Sequence, residues 1–351
     1  MKKDKLIQAL VPVLSIIASF LIGCIIIAVL GANPADALKY LWKGAFGNVR
    51  NLGTTFSRAT PLIFTTLCAC FAYRCGVFNL GGEGQFIMGS IAACFIAVKS
   101  GITGVPAMVL CAIAGALAGG LWSGAAGLLK VYRGQDEMII TIMLNYVATL
   151  LMGVVYTNWL RDGSVPQTVA VPDETMLPSF LGLRATAAFP IAVVIGVLIF
   201  YFLFYTSPGF QLRAVGLNAT AAKVNGFNVK RYMLMSFIVS GAIAGLGGAL
   251  ELIGTQIRLI NGFGAGYGFD GVAMALIANL HPIAGVVVAI FFAALRVGST
   301  TMQTATGVPT SVSDIIQALV IVFTVAGMAM VKLPEFKSRM MKRRGKKEAR
   351  A

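Results

Sequence analysis

Few residues in this 351-residue sequence have the types and spacing that chemistry needs. The richest stretch is Gly76–Gln85 (GVFNLGGEGQ), where Asn79, Glu83 and Gln85 sit among Gly81, Gly82 and Gly84. Glycines there let backbone approach another group closely or take positive φ. Glu83 would be costly against lipid, so its carboxylate must face protein or water. Two readings fit. The stretch is a path-lining or gating element at a helix break, or it is a structural turn whose carboxylate is satisfied by freed amides. Arg74 and Cys75 precede it and favour an inner mouth over a binding centre. Asp270 ends a second glycine-rich stretch, Gly262–Asp270 (GFGAGYGFD), and joins Asn79, Glu83 and Gln85 as a candidate path residue. Glu251, Arg258, Asp270, Arg296 and Asp314 lie at or near the ends of apolar runs. Ionisable groups there are functional candidates, with interfacial placement or mutual pairing as the plainer reading.

Other chemistry is poorly supplied. His281 is the only histidine, and one histidine cannot build a metal site. Beside Pro282 it reads as a turn between two helices, with a proton-linked role as the sharper alternative. Cys68 and Cys70 make a lone C-x-C. All six cysteines fall in or beside apolar stretches and read as small buried hydrophobes. Fifteen Met and 22 Phe, scattered through the apolar runs, are packing and lipid-facing residues. There is no Ser–His–Asp set, no HExxH and no facing pair of aspartates. No G-x-x-x-x-G-K-[ST] occurs: the only Gly-Lys pair is Gly345-Lys346, followed by Lys347. ATP is therefore not hydrolysed by this chain, and no cofactor is expected.

Composition says where these residues sit. The chain is 58% hydrophobic and 12% charged, with mean hydropathy +0.84. Soluble domains are about one quarter charged, so an ordinary soluble enzyme, a disordered chain and a disulfide scaffold are excluded. At ~20 residues per helix the length allows about ten membrane spans. The formal charge of +15 is concentrated: nine of 28 Lys and Arg lie between Lys332 and Arg350, and three more are Lys2, Lys3 and Lys5. Such clusters mark cytoplasmic ends and touch anionic membrane lipid. Nucleic acid is not expected, because no basic patch is interleaved with stacking aromatics.

The apolar runs give the elements. Leu6–Leu30 exceeds the about 7–15 apolar residues of a cleavable signal core, so it is read as an uncleaved first span. Asn33-Pro34 opens an interfacial helix with Leu38, Leu41, Trp42, Ala45 and Phe46 on one face and Asp36, Lys39 and Lys43 opposite. Pro61–Tyr73 and Gln85–Val98 are short pieces around the first glycine-rich stretch. Gly271–Leu280 and Ile283–Val297 are short pieces around His281-Pro282. Membranes tolerate discontinuous helices only where protein or water satisfies the freed backbone. Val105–Leu129, Met138–Leu160, Ala187–Tyr205, Met233–Gly254 and Ser313–Val331 complete the spans. Gly115, Gly119, Gly120, Gly124 and Gly127, and then Gly241, Gly245 and Gly248, mark close-packing faces. Arg161–Thr186 is a polar outer loop and Thr206–Tyr232 a long polar inner one. The expected fold is all-α: a polytopic membrane protein of about ten spans with discontinuous short pairs. A five-span offset between those pairs would make its halves inverted repeats. With both termini cytoplasmic, 19 Lys and Arg fall inside and 9 outside or near the outer ends. Residues 1–331 form the membrane domain and 332–351 a basic cytoplasmic tail.

The inner loop at 206–232 carries the most informative pattern. Asn218 is an N-cap, Ala219, Ala221 and Ala222 favour helix, and Gly226 stops it in left-handed geometry. A capped helix exposed to cytoplasm is a docking knob; a solvated connector is the plainer alternative. Thr220-Ala221-Ala222-x-x-x-Gly226 resembles the E-A-A-x-x-x-G coupling loop of ABC importer permeases, with Thr in place of Glu. Arg213-Ala214-Val215-Gly216-Leu217-Asn218, GVFNLGGEGQ and Gly268–Leu280 (GFDGVAMALIANL) resemble the simple-sugar and nucleoside branch of those permeases, a branch related to branched-chain amino acid permeases. The resemblance runs from about Leu52 to Val331.

That resemblance implies a subunit without enzymatic activity in the bacterial cytoplasmic membrane. Separate cytosolic ATPase chains would be coupled through Asn218, Thr220, Ala221, Ala222 and Gly226. An extracellular binding protein delivers the substrate, and a second permease subunit completes the path, a heterodimer being preferred to a homodimer. The form of GVFNLGGEGQ and the long N-terminal extension lean towards nucleosides. Simple sugars such as ribose or galactose are the alternative. An ion-coupled secondary transporter, which shares broken helices and inverted repeats, is the rival from another class.

Overall fold

The computed structural model describes residues 2–180 and 185–332. The expected basic tail lies outside the described residues from position 333 onward. In order, the helices are α1 (Lys2–Val29), α2 (Pro34–Phe46), α3 (Val49–Arg74), α4 (Gly82–Lys99), α5 (Gly104–Arg133), α6 (Glu137–Val154), α7 (Ala188–Tyr205), α8 (Ser207–Leu217), α9 (Ala219–Val224), α10 (Val229–Glu251), α11 (Tyr267–Ile277), α12 (Pro282–Thr306) and α13 (Ser311–Lys332). A small antiparallel hairpin, β1 (Arg161–Asp162) and β2 (Val165–Thr168), sits between α6 and α7. The chain is an all-α polytopic membrane protein.

Among the described residues seven segments are long and apolar enough to cross a membrane. They are Val11–Val29, Gly104–Arg133, Glu137–Trp159, Ala188–Tyr205, Val229–Gln256, Pro282–Thr306 and Ser311–Met330. The expected ten counted α3, α4 and α11 as well. α3 was expected as a short piece, yet it is one 26-residue helix running through Pro61. Its polar first half buries Gly53, Thr55, Ala59 and Thr60; Asn48 caps it, and the Thr54 and Thr60 hydroxyls return to carbonyls four residues back. α12 likewise continues well past Val297. Its Ser299, Thr300, Thr304 and Thr306 hydroxyls bond to carbonyls of the preceding turn, which makes a polar sequence compatible with helix. Of the expected short pieces among the described residues, α11, with 11 residues and a length of ~16 Å, is about half a membrane thick.

Two compact units divide the chain. Among the described residues the first comprises 2–45 and 295–332. Within it α1 runs along α13, where Gly327 faces Val11 and Gly23 faces the Ile316 side chain. α2 buries Ala37, Leu41, Gly44 and Ala45 and leaves Trp42 and Phe46 exposed. Its inward face is therefore rotated from the expected one. Small residues let backbone approach backbone, here Gly298 against the Leu41 carbonyl.

The second unit comprises residues 46–294. α10 is its axis, packed on α5, α4 and α3. Gly115 and Gly119 of α5 and Gly241 and Gly245 of α10, on the faces that the glycine periodicity predicts, form one seam with Gly89 of α4, which the sequence reading did not single out. A Cβ on any of them would strike a neighbouring helix. The segment expected as a long inner loop, 206–232, is mostly helical, because Thr206, Asn218 and Asn228 each cap a new helix in turn.

Candidate functional site

The two glycine-rich breaks meet. After Arg74 the chain turns at Gly76, runs back along α3 and restarts as α4 beside Cys68, whose Sγ lies 3.6 Å from the Gln85 Oε1. α4 thus begins about six residues, ~9 Å, up α3. The second break, 257–266, takes positive φ at Ile257, Gly262, Gly264 and Gly266. It delivers the start of α11 to the same place. The Gly266 N–H donates to the Glu83 Oε2 at 3.0 Å, and Gly268 backs onto the Glu83 backbone so closely that a side chain would collide. Two helix N-termini converge there, each with a positive dipole end. Glu83, half-buried, supplies the anion that such ends favour. Asp270 lies in the first turn of α11, near enough to act electrostatically on Glu83.

Asn79 and Gln85 occupy a different setting. Each is 1% exposed. Asn79 Oδ1 accepts from the Gly81 N–H (2.9 Å) and from Gln85 Nε2 (2.8 Å). Its Nδ2 reaches Gln85 Oε1 at 3.1 Å, Ser240 Oγ at 3.0 Å and Ser123 Oγ at 3.4 Å. Asn145 of α6 accepts from the Gly84 N–H at 2.8 Å and donates to the Leu80 carbonyl at 2.9 Å. Thr141 Oγ1 accepts from the Leu80 N–H. These partners tie the Asn79–Gln85 turn to α5, α6 and α10. Sequence reasoning missed Ser123, Thr141, Asn145 and Ser240. Their signal was a polar residue on an otherwise apolar span. Asn79→Ala orphans the Gln85 amide and the Gly81 N–H, at about 1–3 kcal/mol per buried group. The expected outcome is a clearly lower Tm in detergent, with Asn79→Asp intermediate because it keeps the acceptor. Thermal unfolding of the purified variants checks it; an unchanged Tm for Asn79→Ala would show the network to be dispensable.

The segment 206–228 forms a short arm. Thr206 Oγ1 accepts from the Gly209 N–H to start α8, and Asn218 Oδ1 accepts from the Ala221 N–H at 3.0 Å to start α9. Gly226 ends it at φ +83°, with its N–H on the Lys223 carbonyl and the Phe227 N–H on the Ala222 carbonyl. Gly209 presses on the Phe202–Leu203 backbone and Gly216 on Arg74 and Cys75, which fixes α8 against α7 and α3. Asn218, Thr220, Ala221 and Gly226 are exposed on the arm, whereas Ala222 is turned inward and is 4% exposed. The sequence reading did not single out Leu217 and Val224, which are 88% and 84% exposed. Their signal is a large apolar residue at the last position of each of two short helices.

Beside the arm, α11 turns into α12 through Asn279 (φ 50°) and Leu280 (φ 58°), left-handed residues that are not glycine. Arg74 donates from Nε to the Leu280 carbonyl (2.9 Å) and from Nη2 to the Asn279 carbonyl (3.1 Å). Arg74 and Arg213 both lie over the Phe204 ring, at 5.5 and 4.9 Å from its centroid. His281 sits in this turn against Phe200 and Phe204. Burial, and then the Arg74 guanidinium, hold its imidazole below the usual range, so it is neutral at pH 7. Its Nδ1 faces the Ala284 N–H at the start of α12.

The chain is similar to several known proteins. Residues 51–325 match the family described as branched-chain amino acid transport system / permease component. The chain is 32% identical to the guanosine ABC transporter permease protein NupP of Bacillus subtilis, over 93% of this chain and 95% of that one. It is 30% identical to the glucose ABC transporter permease protein TsgB13 of Haloferax volcanii (90% and 86%). It is also 30% identical to the nucleoside ABC transporter permease protein NupB of Lactococcus lactis (98% and 99%). No solved structure matches.

Proposed function

The chain belongs to the permease component family of branched-chain amino acid transport systems, and from that premise we propose that it is the membrane subunit of an ATP-driven nucleoside importer. The observation that carries the mechanism is α9: a helix capped at both ends, exposed, and carried by an arm packed on α3 and α7. Such an arm is a rigid docking element for a cytosolic ATPase. ATP hydrolysis belongs to that separate chain, since this sequence has no phosphate-binding Gly-rich motif. An external binding protein supplies the substrate. One arm per chain and two ATPases require a second permease subunit, a heterodimer being preferred. Both termini are cytoplasmic on this reading. The path passes beside Glu83 and Asp270, where two helix N-termini converge, while Asn79 and Gln85 hold the turn that places Glu83. Nucleosides follow from the guanosine and nucleoside relatives; the glucose relative supports simple sugars as the second reading.

The test is uptake of labelled guanosine into vesicles holding this chain with its partner subunits. Uptake is expected only with ATP and is expected to survive an ionophore. Unlabelled nucleosides should compete, whereas ribose, galactose and glucose should not. Uptake that continues without ATP and collapses with the ionophore would establish a secondary transporter instead.

A further inference from the structure

α11 is held at three points. Its first residues back onto Glu83, Gly271 lies against the Thr65 backbone of α3, and its end is gripped by Arg74. A side chain at Gly271 or Gly268 would collide with backbone, so neither contact has slack. Between them α11 is a rigid strut of ~16 Å. Its far end is a turn that its residues do not favour: left-handed geometry at Asn279 is common, but at Leu280 it costs about 1–2 kcal/mol. Something must hold that turn, and the Arg74 fork bonds to both carbonyls. Arg74 is also the residue whose carbonyl touches Gly216 of α8. The docking arm, Arg74 and the start of the path are thus joined in series by contacts too tight to slide.

We propose that Arg74 is a positioning residue that transmits movement of the α8–α9 arm to the α11–α12 turn, and through α11 to the Glu83 convergence. This rests on the importer reading above. Arm displacement shifts Gly216, which bears directly on Arg74. The guanidinium carries the shift to the Asn279 and Leu280 carbonyls, and the rigid strut delivers it to Gly266–Gly268. Arg213, on α8 itself, shares the Phe204 ring with Arg74 and keeps the two helices in register. Interfaces of this kind switch between discrete arrangements, because packed backbone does not deform continuously.

The test uses the assembled importer in vesicles, at matched membrane abundance, with R74Q and R74K. In R74Q, co-purified ATPase and its hydrolysis rate should stay within about twofold of wild type while uptake falls about tenfold, the size of an ordinary coupling free energy. R74K keeps the charge but loses the two-carbonyl fork, and its uptake should also fall. A spin label at Leu276→Cys on α11 should respond to ATP in the wild-type background and not in R74Q. A label at Phe210→Cys on α8 should respond in both. A mere cap on a strained turn predicts otherwise: adding Leu280→Gly to R74Q would restore uptake. That rescue, or normal uptake in R74Q, overturns the proposal. Wild-type uptake that ignores ATP overturns the importer reading and this one with it. ATP-driven wild-type uptake with an unaffected R74Q overturns this one alone.

Discussion

Gly245→Leu is expected to remove the folded protein from the membrane. Gly245 is where α4, α5 and α10 come together. A Cβ there would strike the Gly115 carbonyl and the Gly119 backbone of α5, and Gly89 of α4 lies on the Gly245 backbone itself. Overpacking an ordinary core site costs about 1–3 kcal/mol, because side chains rotate out of the way. Backbone has no rotamer to change, so three helices must separate together. That places the substitution in the exceptional class above about 4 kcal/mol, a large share of the about 5–15 kcal/mol that keeps a typical protein folded. Close backbone packing is also what holds helices together where lipid is as apolar as the side chains. Gly153→Ala on α6 is the control. The nearest atom to its Cβ would be the Tyr156 hydroxyl at 3.9 Å, and replacing a helical glycine by alanine gains up to ~1 kcal/mol. Membrane abundance and Tm should be lost for Gly245→Leu and kept for Gly153→Ala. Normal abundance of both would mean that the seam is not the core of this unit.

That seam was legible in the sequence, and the reason is period. Glycines three and four apart fall on one helix face whatever lies opposite. The caps of α9 were legible for a related reason: Asn218 to Ala221 and Lys223 to Gly226 are contacts within one turn. Hydropathy cut α3 short at Pro61, since Arg50, Thr54 and Arg58 lower it before that point while Thr55, Ala59 and Thr60 on the same helix are buried in protein. The candidate site was legible only as two breaks. Their meeting, Gly266 on Glu83, joins residues 183 apart, and the Arg74 grip on Leu280 joins residues 206 apart. No local pattern encodes either. The inward turn of Ala222 is similar. A six-residue helix has no periodicity to declare its buried face, and packing against α8 and α10 decides it.

The arm yields the second large effect. Leu217→Ala with Val224→Ala is expected to release the ATPase. Both side chains are exposed in the single chain, at the ends of α8 and α9, flanking the exposed Asn218, Thr220 and Ala221. Docking into a cleft would bury them. The double truncation removes about five methylene-sized groups at ~0.8 kcal/mol each, roughly 4 kcal/mol, or a 10²–10³-fold weaker association. The folded subunit should be untouched, because neither side chain supports its own core. Gly226→Val should act more mildly. Its Cβ meets nothing within 4 Å, so the penalty is only the left-handed backbone, ~1–2 kcal/mol. Ala222→Glu should act by a different route: Ala222 is buried, so a carboxylate there unseats α9 from its own arm. Co-purified ATPase and substrate uptake, at matched membrane abundance, separate these cases. A solvated connector predicts wild-type values for Leu217→Ala with Val224→Ala. Such values would leave α9 without a docking face and would remove the structural basis for coupling through this arm.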